Sequence, residues 1–485
     1  MQLSDLMNVD ATGGVPSVDI CGLTSDSRAV RPGYLFAALE GTQIDGRKYI
    51  PDAVDHGAVA VLAQPGTETV DPHVPLIADA NPRRRLALMA ARFFEKQPET
   101  MVAVTGTNGK TSVAKFVEQI WHHLGHKSGS LGTLGVQGDG YRSKLQHTTP
   151  DPVTLHRVLR EMSERSIDHV AIEASSHGLD QHRLDGVRLK AAAFTNLSHD
   201  HLDYHASEEA YLAAKARLFS EVLPADCIAV LNADFEQYGH LVGIAKARGQ
   251  EVISYGYRAG DIRVKRRRPN DGGQLLELDV RGQSYRVQLP VIGDFQAENA
   301  ACALGLVLAC GADQDAAVDA LNHLQGVTGR LEKVVEHHNG APVFVDFAHT
   351  PDALEHVLKA LKPHARDRLV VVFGCGGDRD ADKRRVMGLV ACQYADLVIV
   401  TDDNPRFEDA AAIRLEVMKG CDRAIEVRDR AQAIRAGVAG LNEGDVLVIA
   451  GKGHESGQIV RSDVLPFNDA EQARMAVAEV GRGGV

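Results

Sequence analysis

The sequence has little of what marks several classes of protein. Aromatic residues make up 5% of its 485 residues. Its seven cysteines include no C-x-x-C pair, so neither a zinc site nor a disulfide framework is indicated. The most apolar stretch, residues 300–310, is too short to cross a bilayer. Residues 1–5 show no basic region leading into an apolar run. We therefore expect a cytoplasmic protein that does not enter a membrane.

The chain also lacks an excess of positive charge. Its formal net charge is -12, which argues against nonspecific binding to nucleic acid. A local basic cluster can still hold an anionic substrate. Hydrophobic residues make up 44% and charged residues 24%, as is usual for a globular protein, and the length suggests about three domains.

The pattern of apolar runs predicts an α/β protein with three domains, at residues 1–82, 83–327 and 328–485. Short strand-like runs separated by Gly and Pro fill the first region. The second combines buried strands and helices with alternating residues at 262–291, which predict an antiparallel meander. Strands of a third α/β unit are expected at residues 343–345, 369–373, 397–400 and 446–449.

Residues 105–111, with the sequence T-G-T-N-G-K-T, lie between a buried strand and an amphipathic helix. Glycines let backbone N–H groups turn toward phosphate oxygens, and the helix N-terminus adds partial positive charge. Lys110 can neutralise phosphates, and the Thr111 hydroxyl can bind Mg²⁺. Val104 stands where the usual phosphate-binding loop has glycine, so the sequence predicts a shortened variant.

Two further segments are candidates for metal binding. Glu173 ends the strand run 170–172, where a carboxylate can hold a metal beside a phosphate loop. Residues 199–205 approach the H-x-H-x-D-H pattern of metallo-β-lactamase-type hydrolases, but Tyr204 occupies the sixth position. Lys215 lies on a mostly apolar helix face, where desolvation would expose a neutral amine that can add CO₂, or where the side chain would simply reach the solvent.

Together these segments resemble the Mur ligase family, through T-G-T-N-G-K-T at 105–111, E-A-S-S-H-G-L at 173–179 and N-L-S-H-D-H-L-D at 196–203. A-K at 214–215, G-R at 329–330 and D-F-A-H at 346–349 complete the resemblance, although Gln296 stands where the family usually has Asn. It implies a small UDP-binding α/β domain, a central P-loop ATPase-like domain and a C-terminal Rossmann-like domain. It also implies ATP as co-substrate, two Mg²⁺ sites, and an ATP-dependent ligase of cytoplasmic peptidoglycan precursor synthesis.

The resemblance assigns roles to particular residues. It implies that ATP is held by Gly106, Thr107, Asn108, Gly109, Lys110, Thr111, Ser112, Asn299, Arg330, Asp346 and His349. It implies that Lys110, Glu173, His201 and Lys215 are catalytic, and that Thr111, Glu173, His201 and carbamylated Lys215 (N6-carboxylysine) bind the metals. It implies that the UDP-muramoyl peptide is bound by Ser25, Ser27, Thr42, Gln43, Ile44, Thr148, Thr149, Ser175, Gln181 and Arg183.

The amino-acid substrate can be argued from the loops that follow the C-terminal strands. If these loops converge, Arg379 and Arg406 can bind a carboxylate, while Asp403 and Glu455 can accept an ammonium group. Asn404, Pro405 and Gly451 lie in the same loops. Diaminopimelate presents such a carboxylate and ammonium on one carbon. The resemblance then implies a reaction that adds meso-2,6-diaminopimelate to the D-Glu side chain of UDP-MurNAc-L-Ala-D-Glu. We expect a monomer that uses small-molecule substrates alone.

Other functions remain open on the sequence. A related ligase could add lysine or D-Ala-D-Ala, or could be a folylpolyglutamate synthetase. Arg406 disfavours the lysine-adding and D-Ala-D-Ala-adding ligases; a lysine-adding enzyme, for example, has no carboxylate for it to bind. The N-terminal segment that resembles a uridine-binding pocket disfavours a folylpolyglutamate synthetase. A nucleotide-binding regulator without catalysis is a fourth possibility.

Overall fold

The protein is described from a computed structural model, which covers residues 1–8, 16–41, 44–68, 70–198, 200, 204–270 and 273–482. Three sheets of four, eleven and six strands follow one another along the chain, each covered by helices. The expected mixed α/β architecture is confirmed. The exact boundaries at residues 82 and 327 stay a prediction.

The N-terminal sheet has four parallel strands in sequence order. Its apolar faces bury Leu35, Leu62 and Leu86, which belong to one core. The helix that leads into the next region begins with Pro82 after Asn81, whose side chain accepts a hydrogen bond from Arg84 N. The elements of this region are α1 (Leu3–Met7), β1 (Gly22–Thr24), β2 (Tyr34–Ala37), α2 (Ile50–Asp55), β3 (Ala58–Ala63), β4 (Leu76–Ala78) and α3 (Pro82–Phe94).

The central sheet is built around six neighbouring parallel strands whose carboxyl ends meet at one edge. Such strands are buried on both faces, which is why they are nearly continuous apolar runs. The elements that build this part are β5 (Thr100–Thr105), α4 (Lys110–His123), β6 (Ser128–Gly132), α5 (Pro152–Glu164), β9 (His169–Glu173), α6 (Ser176–Asp180), β10 (Ala191–Phe194), α7 (Glu208–Arg217), β11 (Ile228–Asn232), α8 (Tyr238–Ala247), β12 (Glu251–Gly256), α9 (Asp294–Ala309) and α10 (Gln314–Ala320), with β7 and β8 between β6 and α5.

Further strands extend both edges of this parallel core. The predicted antiparallel meander is confirmed as β13 (Ile262–Asn270), β14 (Gly273–Val280) and β15 (Gln283–Leu289), and its first strand, β13, pairs in parallel with β12. At the other edge, β7 (Gly135–Gly138) and β8 (Tyr141–Ser143) continue from β6 in antiparallel pairing, which the sequence did not predict. Strand order across the sheet is β15-β14-β13-β12-β11-β10-β5-β9-β6-β7-β8.

The C-terminal sheet has the order β16-β17-β21-β18-β19-β20, parallel except for β16. All four strands expected here are confirmed. The elements are β16 (Glu332–Glu336), β17 (Pro342–Asp346), α11 (Pro351–Leu361), β18 (Leu369–Phe373), α12 (Asp382–Tyr394), β19 (Leu397–Val400), α13 (Ala410–Met418), β20 (Ile425–Glu426), α14 (Arg430–Ala439), β21 (Val446–Ala450), the hairpin β22 (Gly457–Val460) and β23 (Asp463–Pro466), and α15 (Asp469–Arg482). Short helical turns lie at Ser27–Ala29, Gly46–Tyr49, Leu218–Val222, Leu321–His323 and Lys362–His364.

One pair of cysteines is joined, although the sequence indicates no disulfide framework. Cys392 on α12 and Cys421 after α13 form a disulfide, with Cα atoms 5.3 Å apart. They are 29 residues apart in sequence, and the packing of two helices brings them together, so no spacing motif announces the pair. In the described part of the chain no helix is long and apolar enough to cross a membrane.

Candidate active site

The loop between β5 and α4 has the backbone conformation of a phosphate cradle. Gly106 and Gly109 have φ values of +143° and +89°, which favour glycine. A Cβ on Gly106 would lie 1.9 Å from Thr195 Oγ1, so the close approach of β10 also demands glycine there. Lys110 opens α4 and folds back over the loop, where its Nζ donates to the carbonyls of Gly106 and Thr107, each at 2.8 Å.

Residues after β10 hold the loop from the other side. Asn108 N donates to Asn196 Oδ1 at 2.8 Å, and Thr195 Oγ1 donates to Asn108 O at 2.6 Å. Thr107 N donates to Asn196 O at 2.9 Å. Because the loop bonds to its neighbours as well as to itself, its shape is set before a ligand arrives.

Glu173, at the end of β9, gathers hydroxyl groups around its carboxylate. Thr111 Oγ1 donates to Glu173 Oε2 at 3.0 Å. Thr133 donates its N–H to Oε1 at 2.9 Å and its hydroxyl to Oε2 at 3.0 Å. The structure therefore brings together two of the residues expected at the metal sites, while His201, with residues 199, 202 and 203, lies outside the described residues.

Two lysines meet at Gly106. Lys215, on α7, is 1% exposed, and its Nζ donates to Gly106 O at 2.8 Å. Burial, and then the charge of Lys110, hold the pKa of Lys215 well below its usual value, despite the opposing charge of Asp200. Burial also lowers the pKa of Lys110, although Glu173 and Asp200 favour its charged form. The alternative of a solvent-reaching Lys215 is wrong.

The C-terminal region reaches this loop through Arg330, whose Nη2 donates to Thr111 Oγ1 at 3.0 Å. Its guanidinium lies 4.6 Å from the centroid of the Phe347 ring. Asp346, at the end of β17, accepts from Leu331 N and Ala348 N at 2.6 and 2.7 Å. Burial raises the pKa of Asp346 to about 6, against the opposing effect of Arg330 and these N–H groups.

His349 and Asp352 continue the same face. His349 Nδ1 lies 2.9 Å from Phe347 O, and burial lowers the pKa of its imidazole. Asp352 Oδ2 accepts from Asn108 Nδ2 at 3.0 Å, a contact between residues 244 positions apart. Of the predicted nucleotide residues of the C-terminal region, Arg330 contacts the loop directly, and Asp352, which was not predicted, does so as well.

Asn299, on α9, lies beneath the loop. A Cβ on Gly109 would be 2.4 Å from Asn299 Oδ1, so the two are in direct contact. Asn299 Nδ2 donates to Gln296 Oε1 at 3.0 Å. Gln296, the departure from the family pattern, therefore orients Asn299. Ser112 is buried in the first turn of α4.

Several predicted acceptor-binding residues form a network beside Glu173. Thr149 Oγ1 donates to Glu173 O at 2.7 Å and accepts from Ser175 N at 3.0 Å. Arg183 donates to Thr149 O at 2.6 Å and to Gln181 Oε1 at 2.7 Å. Thr148 Oγ1 is 3.1 Å from Thr133 Oγ1.

A cavity of about 260 Å³ separates this network from the N-terminal region. Glu40, Gly41, Asn81 and Gln181 are among its lining residues. The predicted uridine-binding residues of the N-terminal region are less enclosed: Ile44 is 56% exposed, and Ser25 and Ser27 lie at a short turn capped by Asp26. Thr42 and Gln43 lie outside the described residues.

Arg379 and Arg406 lie near each other in loops after β18 and β19. Arg406 Nη1 donates to Gly377 O at 2.7 Å. Burial, and then the charge of Arg379, lower the pKa of Arg406, while Asp403 and Glu455 act in the opposite sense. Arg406 is half-buried and Arg379 is exposed, and two guanidinium groups that repel each other favour an anion between them.

Acidic and amide groups face the same pocket. Asp403 is 9% exposed, and its Oδ2, 3.8 Å from Arg430 Nη1, has no hydrogen-bond partner among the described residues. It also lies 2.7 Å from where a Cβ on Gly451 would be. Glu455 Oε2 accepts from Asn404 Nδ2 at 3.0 Å. The loops expected to converge therefore do so, with Pro405 between Asn404 and Arg406.

Four residues of the site were missed from the sequence: Asp352, described above, Lys452, Thr133 and Asn196. Lys452 is 0% exposed and donates to Asn404 Oδ1 and Glu455 Oε2, each at 2.8 Å, so it fixes both side chains. Thr133 supports Glu173, and Asn196 supports the phosphate loop. Asn196 opens one of the segments that carry the family resemblance, which was a usable signal, whereas Thr133 lies in an unremarkable G-T-L-G segment.

Comparison with known families gives matches along most of the chain. Residues 19–94 match the Mur ligase family catalytic domain, residues 104–307 the Mur ligase middle domain, and residues 329–453 the glutamate ligase domain of Mur ligases.

The chain is 51% identical to UDP-N-acetylmuramoyl-L-alanyl-D-glutamate–2,6-diaminopimelate ligase of Bradyrhizobium diazoefficiens, over 99% of each chain. It is 50% identical to the enzyme of the same name from Agrobacterium fabrum, over 96% of this chain and 95% of the relative. A solved structure of such a ligase superposes with a TM-score of 0.72 at 33% identity, covering 99% of both chains. The chain therefore belongs to the Mur ligase family.

Proposed function

We propose that this protein is an ATP-dependent ligase that joins meso-2,6-diaminopimelate to the D-Glu side-chain carboxylate of UDP-N-acetylmuramoyl-L-alanyl-D-glutamate. Relatives 51% and 50% identical over nearly the whole chain carry that activity in their names. The observation that carries the proposal is the meeting of Lys110, Thr111, Glu173 and Arg330 at one phosphate loop.

ATP is proposed to bind with its phosphates in the loop at 106–111. Backbone N–H groups and Lys110 would face the phosphate oxygens, and the N-terminus of α4 adds partial positive charge. Lys110 bonds to carbonyls of its own loop, and those bonds would be exchanged for phosphate contacts. Arg330, already at Thr111, would add a second cation from the C-terminal region.

Magnesium fits the side chains at Thr111 and Glu173. A hydroxyl and a carboxylate 3.0 Å apart form an oxygen-only donor set beside the phosphate loop, which is what Mg²⁺ prefers. When bound, the ion would neutralise phosphate charge. Thr133, through its two hydrogen bonds, holds the Glu173 carboxylate in place for that role.

Lys215 is proposed to carry a carbamate. Its buried amine, with a lowered pKa, is available as the neutral nucleophile. The amine nitrogen would bond to the carbon of CO₂ and release one proton, which converts the neutral amine into an anion beside Lys110. The anion would attract the Lys110 ammonium and supply a further oxygen ligand.

The acceptor peptide is proposed to lie in the network of Thr148, Thr149, Ser175, Gln181 and Arg183. Its uridine diphosphate would extend past the cavity near Gly41 toward Ser25, Ser27 and the segment containing Thr42 and Gln43. The network adjoins Glu173 through Thr149, so the acceptor carboxylate would arrive next to the γ-phosphate.

Diaminopimelate is proposed to bind between the C-terminal loops. Arg379 and Arg406 would bind its far carboxylate, and Asp403 Oδ2, which has no hydrogen bond within the described residues, would accept the ammonium on the same carbon. Glu455, held by Lys452, offers a second acceptor. A lysine substrate has no such carboxylate, which is why the geometry favours diaminopimelate.

The chemistry then takes two steps. An oxygen of the D-Glu carboxylate attacks the γ-phosphorus, the bond to ADP breaks, and an acyl phosphate forms. The free amine of diaminopimelate attacks the acyl carbon, loses a proton, and inorganic phosphate leaves. Both steps bring anions together, so the chain contributes mainly positioning and charge neutralisation by Lys110 and Arg330.

Phosphate release with a matrix of acceptors and amino acids tests the proposal. Release is expected with UDP-MurNAc-L-Ala-D-Glu and meso-diaminopimelate together, and only background with lysine, D-Ala-D-Ala or glutamate. Equal release with lysine would favour a lysine-adding ligase, and no release with any combination would leave a nucleotide-binding regulator. The monomeric state and the cytoplasmic location stay predictions.

A further inference from the structure

Three side chains with metal-binding atoms meet where strands β6 and β9 begin: His126, Asp168 and His169. Each offers one imidazole nitrogen or carboxylate oxygen, and these three atoms lie within 4.8 Å of one another. His169 Nδ1 is 2.8 Å from Asp168 Oδ1. The rings of His126 and His169 stack with centroids 3.9 Å apart.

The backbone beneath these side chains is well anchored. His126 N donates to Trp121 O at 3.0 Å, just after α4 ends at the left-handed Gly125. Asp168 N and His169 N both donate to Lys127 O, at 3.0 and 3.3 Å. His169 is also paired in register with β5 and β6. His169 is therefore fixed by the sheet, and backbone hydrogen bonds anchor His126 and Asp168 in the connections next to it.

This group is distinct from the nucleotide site. Strand β9 begins with His169 and ends with Glu173. Four residue steps in a strand span about 13 Å, so the two groups lie at opposite ends of β9: the metal-binding atoms at its amino end and the nucleotide site at its carboxyl end.

We propose that His126, Asp168 and His169 form a binding site for a divalent transition-metal ion such as Zn²⁺, Ni²⁺ or Cu²⁺. Two imidazoles and one carboxylate are a donor set that suits these ions, whereas Mg²⁺ and Ca²⁺ favour oxygen ligands alone. The side chains of His169 and Asp168 are 15% and 48% exposed, which leaves an open path for the ion and for completing water ligands.

A second group of this kind lies nearby and must be separated in any test. His123, Asp319 and His323 also have donor atoms within 4.8 Å of one another, but all three are exposed. His323→Ala removes this group without touching the proposed site, so that variant serves as the reference protein.

The only tryptophan of the chain reports on the proposed site. Trp121 is buried, and its ring centroid lies 5.0 Å from that of His169. Bound Cu²⁺ quenches indole fluorescence at such distances. Full-length His323→Ala protein is titrated with Cu²⁺ in excess Mg²⁺, and Zn²⁺ binding is measured in parallel by calorimetry. Saturating quenching at one Cu²⁺ per chain is expected.

Adding His126→Ala to the reference should raise the Cu²⁺ concentration for half-quenching at least tenfold, and Asp168→Asn should raise it while keeping the side-chain shape. His122→Ala is the matched control, because His122, at the C-terminal end of α4, is 68% exposed and lies near Asp139. Quenching that does not saturate, that survives His126→Ala unchanged, or that falls equally in His122→Ala would overturn the proposal.

Discussion

Replacing Arg406 with lysine should weaken the binding of diaminopimelate far more than that of ATP. Arg406 is partly buried, and one of its guanidinium nitrogens already donates to Gly377 O at 2.7 Å. The remaining N–H groups can form two parallel hydrogen bonds to a carboxylate. Lysine keeps the positive charge but cannot form that fork.

The size of the effect follows from the bonds that are lost. A hydrogen bond to a charged group contributes about 1.5–3 kcal/mol, so losing one by Arg406→Lys should raise the diaminopimelate KM roughly 10- to 100-fold. Arg406→Ala removes the charge as well and also leaves Arg379 as the lone cation for the carboxylate. Losing one member of a buried charge pair costs about 2–5 kcal/mol, so the increase should be larger again.

Initial rates of phosphate release at varied diaminopimelate, ATP and lysine measure these constants. Arg435→Ala is a suitable control, because Arg435 lies on α14 with a side chain 46% exposed. The preference for diaminopimelate over lysine should fall together with diaminopimelate affinity. An unchanged preference in Arg406→Ala, or an equal rise in the ATP KM, would refute the assignment of Arg406 to the carboxylate.

Three further perturbations test other parts of the molecule. Lys110→Ala should lower kcat about 100- to 1,000-fold, whereas the control Lys246→Ala, on the exposed face of α8, should leave kcat unchanged. If Lys110→Ala retained its rate in single-turnover phosphate release, the assignment of Lys110 to the phosphates would be contradicted. Lys215→Ala should lose about 10- to 100-fold in activity and regain part of it when short carboxylic acids are added. The same acids should not rescue Lys110→Ala. If Lys215→Ala lost no activity, or regained none, the proposed carbamate on Lys215 would be contradicted. Burial lowers the pKa of His156 to about 4, below the ordinary 6.5, because the folded protein favours the neutral imidazole. The contribution of this group to the free energy of unfolding is therefore complete above pH 6.5 and is lost as the pH falls toward 4. Urea denaturation between pH 7 and pH 4.5 should show about 2 kcal/mol of this loss, absent in His156→Gln and retained in His122→Gln; the same pH slope in both variants would contradict it.

The parts of the site that the sequence predicted are those encoded locally. The phosphate loop needs a strand, two glycines and a helix start, all within residues 100–123, so its position and conformation follow from one short segment. The strands after residue 328 were equally accessible, because each is a continuous apolar run followed at once by polar loop residues.

The parts that were missed depend on contacts between distant segments. Thr133 has no local signal, and its importance comes from two hydrogen bonds to a residue 40 positions away. In the sequence Lys452 is one of several charged loop residues, and only its burial between Asn404 and Glu455 in the folded protein shows its role. The Cys392–Cys421 pair is similar, since helix packing alone brings the two sulfurs together.

Arg330 and Asp352 touch the phosphate loop from positions 219 and 244 residues further along the chain. A fragment ending near residue 327 would keep Lys110 and the glycines yet lack both partners. Such a fragment could still bind a triphosphate in the loop, but the contacts that Arg330 and Asp352 make with the loop would be missing. Competence for bond formation is thus a property of the assembled polypeptide, and a separately expressed C-terminal piece would have to dock before any turnover could begin.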